Sequence, residues 1–80
     1  METNTQQNIL VIFGENLVNF RKVHKISQFR MCTELEIEIK SYRKVERGQV
    51  NPQMRMIKAV INYFKQFDQN ITVEELLKTL

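Results

Sequence analysis

The chain has one cysteine, one histidine, one proline and two glycines among its 80 residues. A single cysteine forms no internal disulfide, so the fold must stand on packing, alone or helped by association with a partner. One histidine and one cysteine do not make a zinc site; Cys32 lies on an apolar stripe, and packing is the reading for it and for His24. With Gly14 and Gly48 as its only glycines, the chain has no glycine-rich phosphate loop. The longest apolar run near the start, "ILVIF", is far short of the ~20 residues that cross a bilayer. The opening "METNTQQN" lacks the basic segment of a secretory signal, so a cytoplasmic, reducing compartment is expected. Nothing in these residues asks for a cofactor or a metal, and no catalytic constellation is present, so an enzyme is not expected.

What the chain does have is cationic charge, unevenly placed. The net charge is +3. Residues 21 to 58 hold ten of the twelve Lys and Arg against four Glu, a local balance of +6. The remainder holds Lys65 and Lys78 against Glu2, Glu15, Asp68, Glu74 and Glu75, which is −3. A basic middle between acidic ends suits a polyanionic partner, with a solvated charged face as the plainer alternative.

The strong hydrophobic periods are helical. Ile9 or Leu10, Phe13, Leu17 and Phe20 predict an amphipathic helix over residues 9 to 24. Ser27 is a suitable N-cap for a second helix, with Met31, Cys32 and Leu35 inward. A third helix is expected from Glu38 to a stop at Gly48, with Tyr42 and Val45 inward. Asn51 and Pro52 read as the cap and first turn of a fourth, whose inner face is Met54, Ile57, Val60, Ile61 and Phe64. Thr72 and Glu75 stand at capping-box spacing before Leu76, Leu77 and Leu80, predicting a short fifth helix. Only "LEIEIK", residues 35 to 40, alternates like a strand. With no second strand to pair with, it reads as a junction between helices.

These elements predict a compact five-helix, all-α domain. Its second and third helices are close enough to form a helix-turn-helix, the third projecting so that it can enter a major groove. The stretch "KSYRKVERGQVNP", residues 40 to 52, is then the projecting helix and its exit loop. Tyr42 and Val45 anchor it, while Lys40, Ser41, Arg43, Lys44 and Arg47 face outward. Lys40 and Lys44 share one helix face, from which a lysine can donate to guanine; Ile39 could meet a thymine methyl.

The stretch "FGENLVNFRKVHKISQFRMCTELEIEIKSYRKVERGQVNP", residues 13 to 52, resembles the lambda-repressor/Cro-type (XRE-like) helix-turn-helix family. Ser27 and Gln28 match the start of that family's second helix, and Met31 and Cys32 stand where it has a Leu-Ala pair. Val45, Glu46, Arg47, Gly48, Asn51 and Pro52 match the signature that closes its recognition helix. The resemblance implies base contacts from Ile39, Lys40, Ser41 and Lys44. It also implies phosphate contacts from Gln28, Arg43, Arg47 and Asn51, with a base at the groove edge as the alternative for Gln28 and with Asn51 fixing the loop. Glu46 reads as an internal ion pair or cap. Glu36 replaces the usual turn glycine, so a different, longer turn is expected there. Glu38 replaces the usual Ser or Thr cap; the helix dipole suits it, with acceptance from cytosine N4 as the alternative.

The resulting expectation is a sequence-specific transcriptional regulator, of repressor or controller type, that binds double-stranded DNA. Residues 1 to 8 form a disordered tail, 9 to 67 the DNA-binding domain, and 68 to 80 a C-terminal helix and dimerisation element. Phe29, Ile9 to Ile12, Leu76, Leu77 and Leu80 exceed what one small core absorbs, which points to a homodimer through residues 53 to 80. The alternative for the last helix is a cap on the monomer's own core. The alternative for the whole is an antitoxin-type protein-interaction module on the same fold.

Overall fold

The computed structural model describes residues 5 to 79, with side chains from residue 9 onward. Four α-helices follow one another without strands among the described residues: α1 (Thr5–Val23), α2 (Gln28–Leu35), α3 (Ile39–Glu46) and α4 (Met54–Phe64). A single 3-10 turn, Glu75–Leu77, comes last. No described helix is long and apolar enough to cross a membrane.

The starts and stops are local chemistry. The Ser27 hydroxyl accepts from the Arg30 amide at 3.0 Å and opens α2, as its position predicts. Glu38 is the N-cap residue of α3 without a side-chain bond to the helix amides; its carboxylate instead accepts from the Ser41 hydroxyl at 2.8 Å. After α3, the Gly48 amide donates to the Val45 carbonyl and the Gln49 amide to the Lys44 carbonyl, with Gly48 at φ 72°. That paired closure is a Schellman motif, and α1 and α2 end the same way on Lys25 and Glu36, at φ 59° and 57°.

Glu36 therefore takes the left-handed conformation that a glycine would adopt freely. The longer turn expected from its presence does not form; residues 36 to 38 suffice to join α2 to α3. The strand-like alternation of "LEIEIK" has the same origin. The reversal at Glu36 puts Leu35, Ile37 and Ile39 against the core and leaves Glu36 and Glu38 exposed.

Three boundaries differ from expectation. First, α1 begins at Thr5, so part of the expected tail is helical; residues 1 to 4 lie outside the described residues. Second, α4 begins at Met54 behind Gln53, with Asn51 and Pro52 ahead of the cap rather than forming cap and first turn. Met54 consequently points outward, 71% exposed. Third, the expected fifth helix is one turn. The Glu75 amide does meet the Thr72 hydroxyl at 3.3 Å. The buried Asn16 amide of α1, however, donates to the Leu76 and Lys78 carbonyls at 2.6 and 2.8 Å, and Lys78 is extended. Those carbonyls are thus satisfied from outside the segment, and the extended Lys78 ends the turn after three residues.

The core joins Phe13, Leu17 and Phe20 of α1 to Ile26, Met31, Cys32, Tyr42, Val45 and the inner face of α4, closed by Ile71 and Leu76. Phe20 and Phe64 stack with centroids 3.9 Å apart. The chain's two glycines meet at one joint. A Cβ on Gly14 would collide with the Glu46 carbonyl and stand 2.8 Å from that of Val45. One on Gly48 would stand 2.9 Å from the Val11 Cα. Bare backbone on both sides lets α1 seat directly on the exit of α3.

Candidate functional site

Because α1 grips α3 from one side, the opposite side of α3 is left open. Tyr42, Val45 and Glu46 are buried, whereas Lys40, Ser41, Arg43, Lys44 and Arg47 are exposed. Three cations thus share the solvent face of an eight-residue helix, and a fourth, Arg47, caps its C-terminal end. Ile39 is half-buried and packs against the core, so only part of its side chain is available from outside. The Ser41 hydroxyl proton is directed to Glu38.

Beneath this face lies a polar chain that sequence reasoning recovered only in part. Glu46 is 8% exposed and sits in the last turn of α3, where the helix dipole disfavours a negative charge. Arg21 of α1 answers it with a two-pronged pair, Nε to Oε2 at 2.6 Å and Nη2 to Oε1 at 2.9 Å, while its Nη1 donates to the Ile26 carbonyl. Hydrogen bonding to Glu46 holds the Arg21 proton more firmly than usual, against partial burial that works the other way. Gln28 then donates from Nε2 to Glu46 Oε1 at 2.7 Å and accepts from Arg43 Nε at 3.1 Å. Glu46 is thus an internal partner, as its position implied. Arg21 was not foreseen, since a pair formed across 25 residues leaves no periodic trace.

Of the positions expected at a nucleic acid, Lys40, Ser41, Arg43, Lys44 and Gln28 are brought together on α2 and α3, with Arg47 at the end of the same helix. Asn51 is placed otherwise. It lines a groove of about 170 Å³ with Ile9, Leu10, Pro52, Val73 and Leu77, between the start of α1 and the C-terminal turn.

The neighbouring carboxylates are partly occupied. Glu34 accepts from the Tyr63 hydroxyl at 2.6 Å and from Arg30 at 3.4 Å. The Tyr63 bond, with Arg30 behind it, holds Glu34 below the ordinary carboxylate value; burial and the same bond push the Tyr63 phenol up. The Tyr42 hydroxyl, inside the core, has no hydrogen-bond partner among the described residues. Burial, with Glu46 nearby, raises its phenol far above the usual range. Burial likewise raises the Cys32 thiol, which leaves it a packing group.

Several large apolar side chains are exposed. Phe29 on α2 is 71% exposed, and Leu77, at 44%, borders the groove just described. Leu76, beside it, is buried in the core of its own chain. Comparison of the chain with family models, with curated proteins and with solved structures gave no match.

Proposed function

We propose that the protein is a cytoplasmic, sequence-specific DNA-binding regulator that uses α2 and α3 as a helix-turn-helix and lays α3 in the major groove. The observation that carries this reading is the one-sided charge of α3. Lys40, Arg43 and Lys44, with Arg47 at the C-cap, are exposed on a helix whose other side is fixed to the body by Tyr42, Val45 and Glu46. A helix held rigidly with cations outward suits a groove lined by phosphates. Lys40, Ser41 and Lys44, with the open part of Ile39, would read bases. Arg43 and Arg47 would take phosphates, with Gln28 beside Arg43 at the groove edge. Asn51, lining the groove away from this set, would support the loop.

The protein would bind as a homodimer, the groove between Ile9 and Leu77 being covered by a second copy. Such pairing would place two α3 helices on successive half-sites. A second reading, an antitoxin-type interaction module, is favoured by the same groove and by exposed Phe29 if a different protein covers them.

Selection of bound sequences from a random duplex pool, followed by binding titrations over a range of salt, tests the first reading. The expected result is an enriched motif bound more tightly than scrambled duplex. Arg47→Ala should weaken both and flatten the log–log salt slope by about 0.9. Failure to enrich any motif, together with salt-independent binding, refutes it. Leu77→Glu should give a folded monomer with weaker DNA binding; a wild-type protein that sediments as a monomer at micromolar concentration refutes the dimer.

A further inference from the structure

The hydrogen bonds beneath α3 do more than hold the fold, and they bear on how its arginine would meet a phosphate. Glu46 is an acceptor only, so the Gln28 amide can face it solely through its NH2 group. That choice fixes the orientation of the whole amide. The Gln28 carbonyl oxygen is turned the other way, and there it accepts from Arg43 Nε at 3.1 Å. Arg21, bonded to both Glu46 oxygens, prevents the carboxylate from swinging to relieve either contact. The chain from α1 to the exposed end of α3 is therefore directional: each group dictates which atom the next presents.

We propose that Glu46, acting through Gln28, is a positioning residue that holds Arg43 with its terminal nitrogens outward to take a DNA phosphate end-on. This rests on the DNA-binding reading above. Arg43 Nε is occupied by Gln28, so the edge of the guanidinium that combines Nε with Nη2 is not free for two-pronged contact. The Nη1/Nη2 end carries the remaining donors and meets the phosphate as a fork. An exposed arginine normally samples many rotamers, and a tether at Nε removes that freedom before DNA arrives. Gln28 itself then serves DNA mainly through Arg43 rather than as an independent phosphate contact. Lysine cannot fully replace Arg43, because one ammonium group cannot reproduce a guanidinium bound at Nε and forked at its end.

The test combines proton exchange in the free protein with a double-mutant cycle on DNA. In the wild type the Arg43 Nε proton should exchange with solvent roughly tenfold more slowly than that of Arg47. Gln28→Leu keeps the Arg21–Glu46 pair intact, so the variant should melt as a folded domain, and Arg43 should then exchange as fast as Arg47. On the selected duplex, Gln28→Leu and Arg43→Ala should each weaken binding about tenfold, and the double variant no more than either alone. Arg43→Lys should keep the salt slope but recover only part of the affinity that Arg43→Ala loses. Two single losses that multiply in the double variant overturn the proposal, as does an Arg43 proton that exchanges rapidly in a wild type that still binds DNA. A protein with slow Arg43 exchange that binds no duplex removes the DNA-binding reading, and with it the phosphate role, while leaving the tether itself in place.

Discussion

The turn between α2 and α3 carries a strained residue whose removal should stabilise the protein. Glu36 stands at φ 57°, ψ 43°, where the Cβ of an L-residue crowds the backbone. That conformation costs ~1–2 kcal/mol for a non-glycine residue. Glycine would release that strain but lose more backbone freedom on folding, a cost of ~0.4–1 kcal/mol. The Glu36 side chain is exposed and makes no hydrogen bond among the described residues, so little contact energy is lost. The net expectation for Glu36→Gly is a gain of ~0.5–1 kcal/mol, which raises the melting temperature by ~2–8 °C for a domain of this size.

A charge effect could mimic this result, because Glu36 lies between Glu34 and Glu38. Glu36→Ala separates the two causes: it removes the same charge but keeps a Cβ in the left-handed region. Urea unfolding of wild type, Glu36→Ala and Glu36→Gly at two salt concentrations gives the comparison. Glycine should exceed alanine by ~1 kcal/mol at both. If alanine matches glycine and both gains vanish in high salt, repulsion among the glutamates is the cause and the strain argument fails. If Glu36→Gly is less stable than wild type, the turn does not have the conformation described.

How far this architecture could be read from sequence depends on the range of the interaction that fixes each part. Ser27 and Gly48 act on backbone within a few residues, and the positions they mark are those at which α2 starts and α3 closes. The inward set Phe13, Leu17, Phe20, Tyr42 and Val45 is likewise legible, since helical period alone sorts it from the solvent side. The C-terminal segment is not legible in this way, because its last turn is tied to Asn16, sixty residues from Leu76, whose amide donates to the Leu76 and Lys78 carbonyls. Met54 has the spacing of an inward residue, but it is the first residue of α4 and stands exposed, while Met56 and Ile57 of the same turn pack against the core. Glu36 shows the limit of propensity: tertiary packing of Leu35, Ile37 and Ile39 outweighs the local cost of the turn. At the candidate site the exposed cations could be counted from the sequence. The polar chain Arg21–Glu46–Gln28–Arg43 could not, because it joins three helices and no repeat in the sequence encodes it.

Removing the buried Tyr42 hydroxyl should not harm the fold: Tyr42→Phe is expected to unfold at the same urea midpoint or higher, by up to ~1 kcal/mol, while Tyr42→Ala loses ~3–5 kcal/mol. A clearly lower midpoint for the phenylalanine variant would mean that the hydroxyl has a partner, with Glu46 and Arg21 the candidates beside it. Glu34 titrates below its unfolded value of about 4.3, so its bond to Tyr63 contributes fully above that pH and is lost as pH falls through the lower folded value. The stability deficit of Tyr63→Phe should therefore be constant near neutrality and shrink below about pH 4; a deficit unchanged down to pH 3 would sink the assignment. The last prediction concerns the joint between α1 and α3, where two effects of opposite sign can be compared. Gly14→Ala inside α1 should gain ~1 kcal/mol from helix propensity alone. The added methyl, however, would meet backbone carbonyls of Val45 and Glu46, which belong to a helix end and cannot rotate away as a side chain could. Overpacking of this kind costs ~1–3 kcal/mol or more, so the variant should be less stable overall despite its better helix former. Relief of the clash requires α1 to move off α3, the helix end that carries Glu46. DNA affinity measured well below the melting temperature should therefore fall as well, whereas an alanine variant as stable as wild type would mean that α1 and α3 are not in backbone contact.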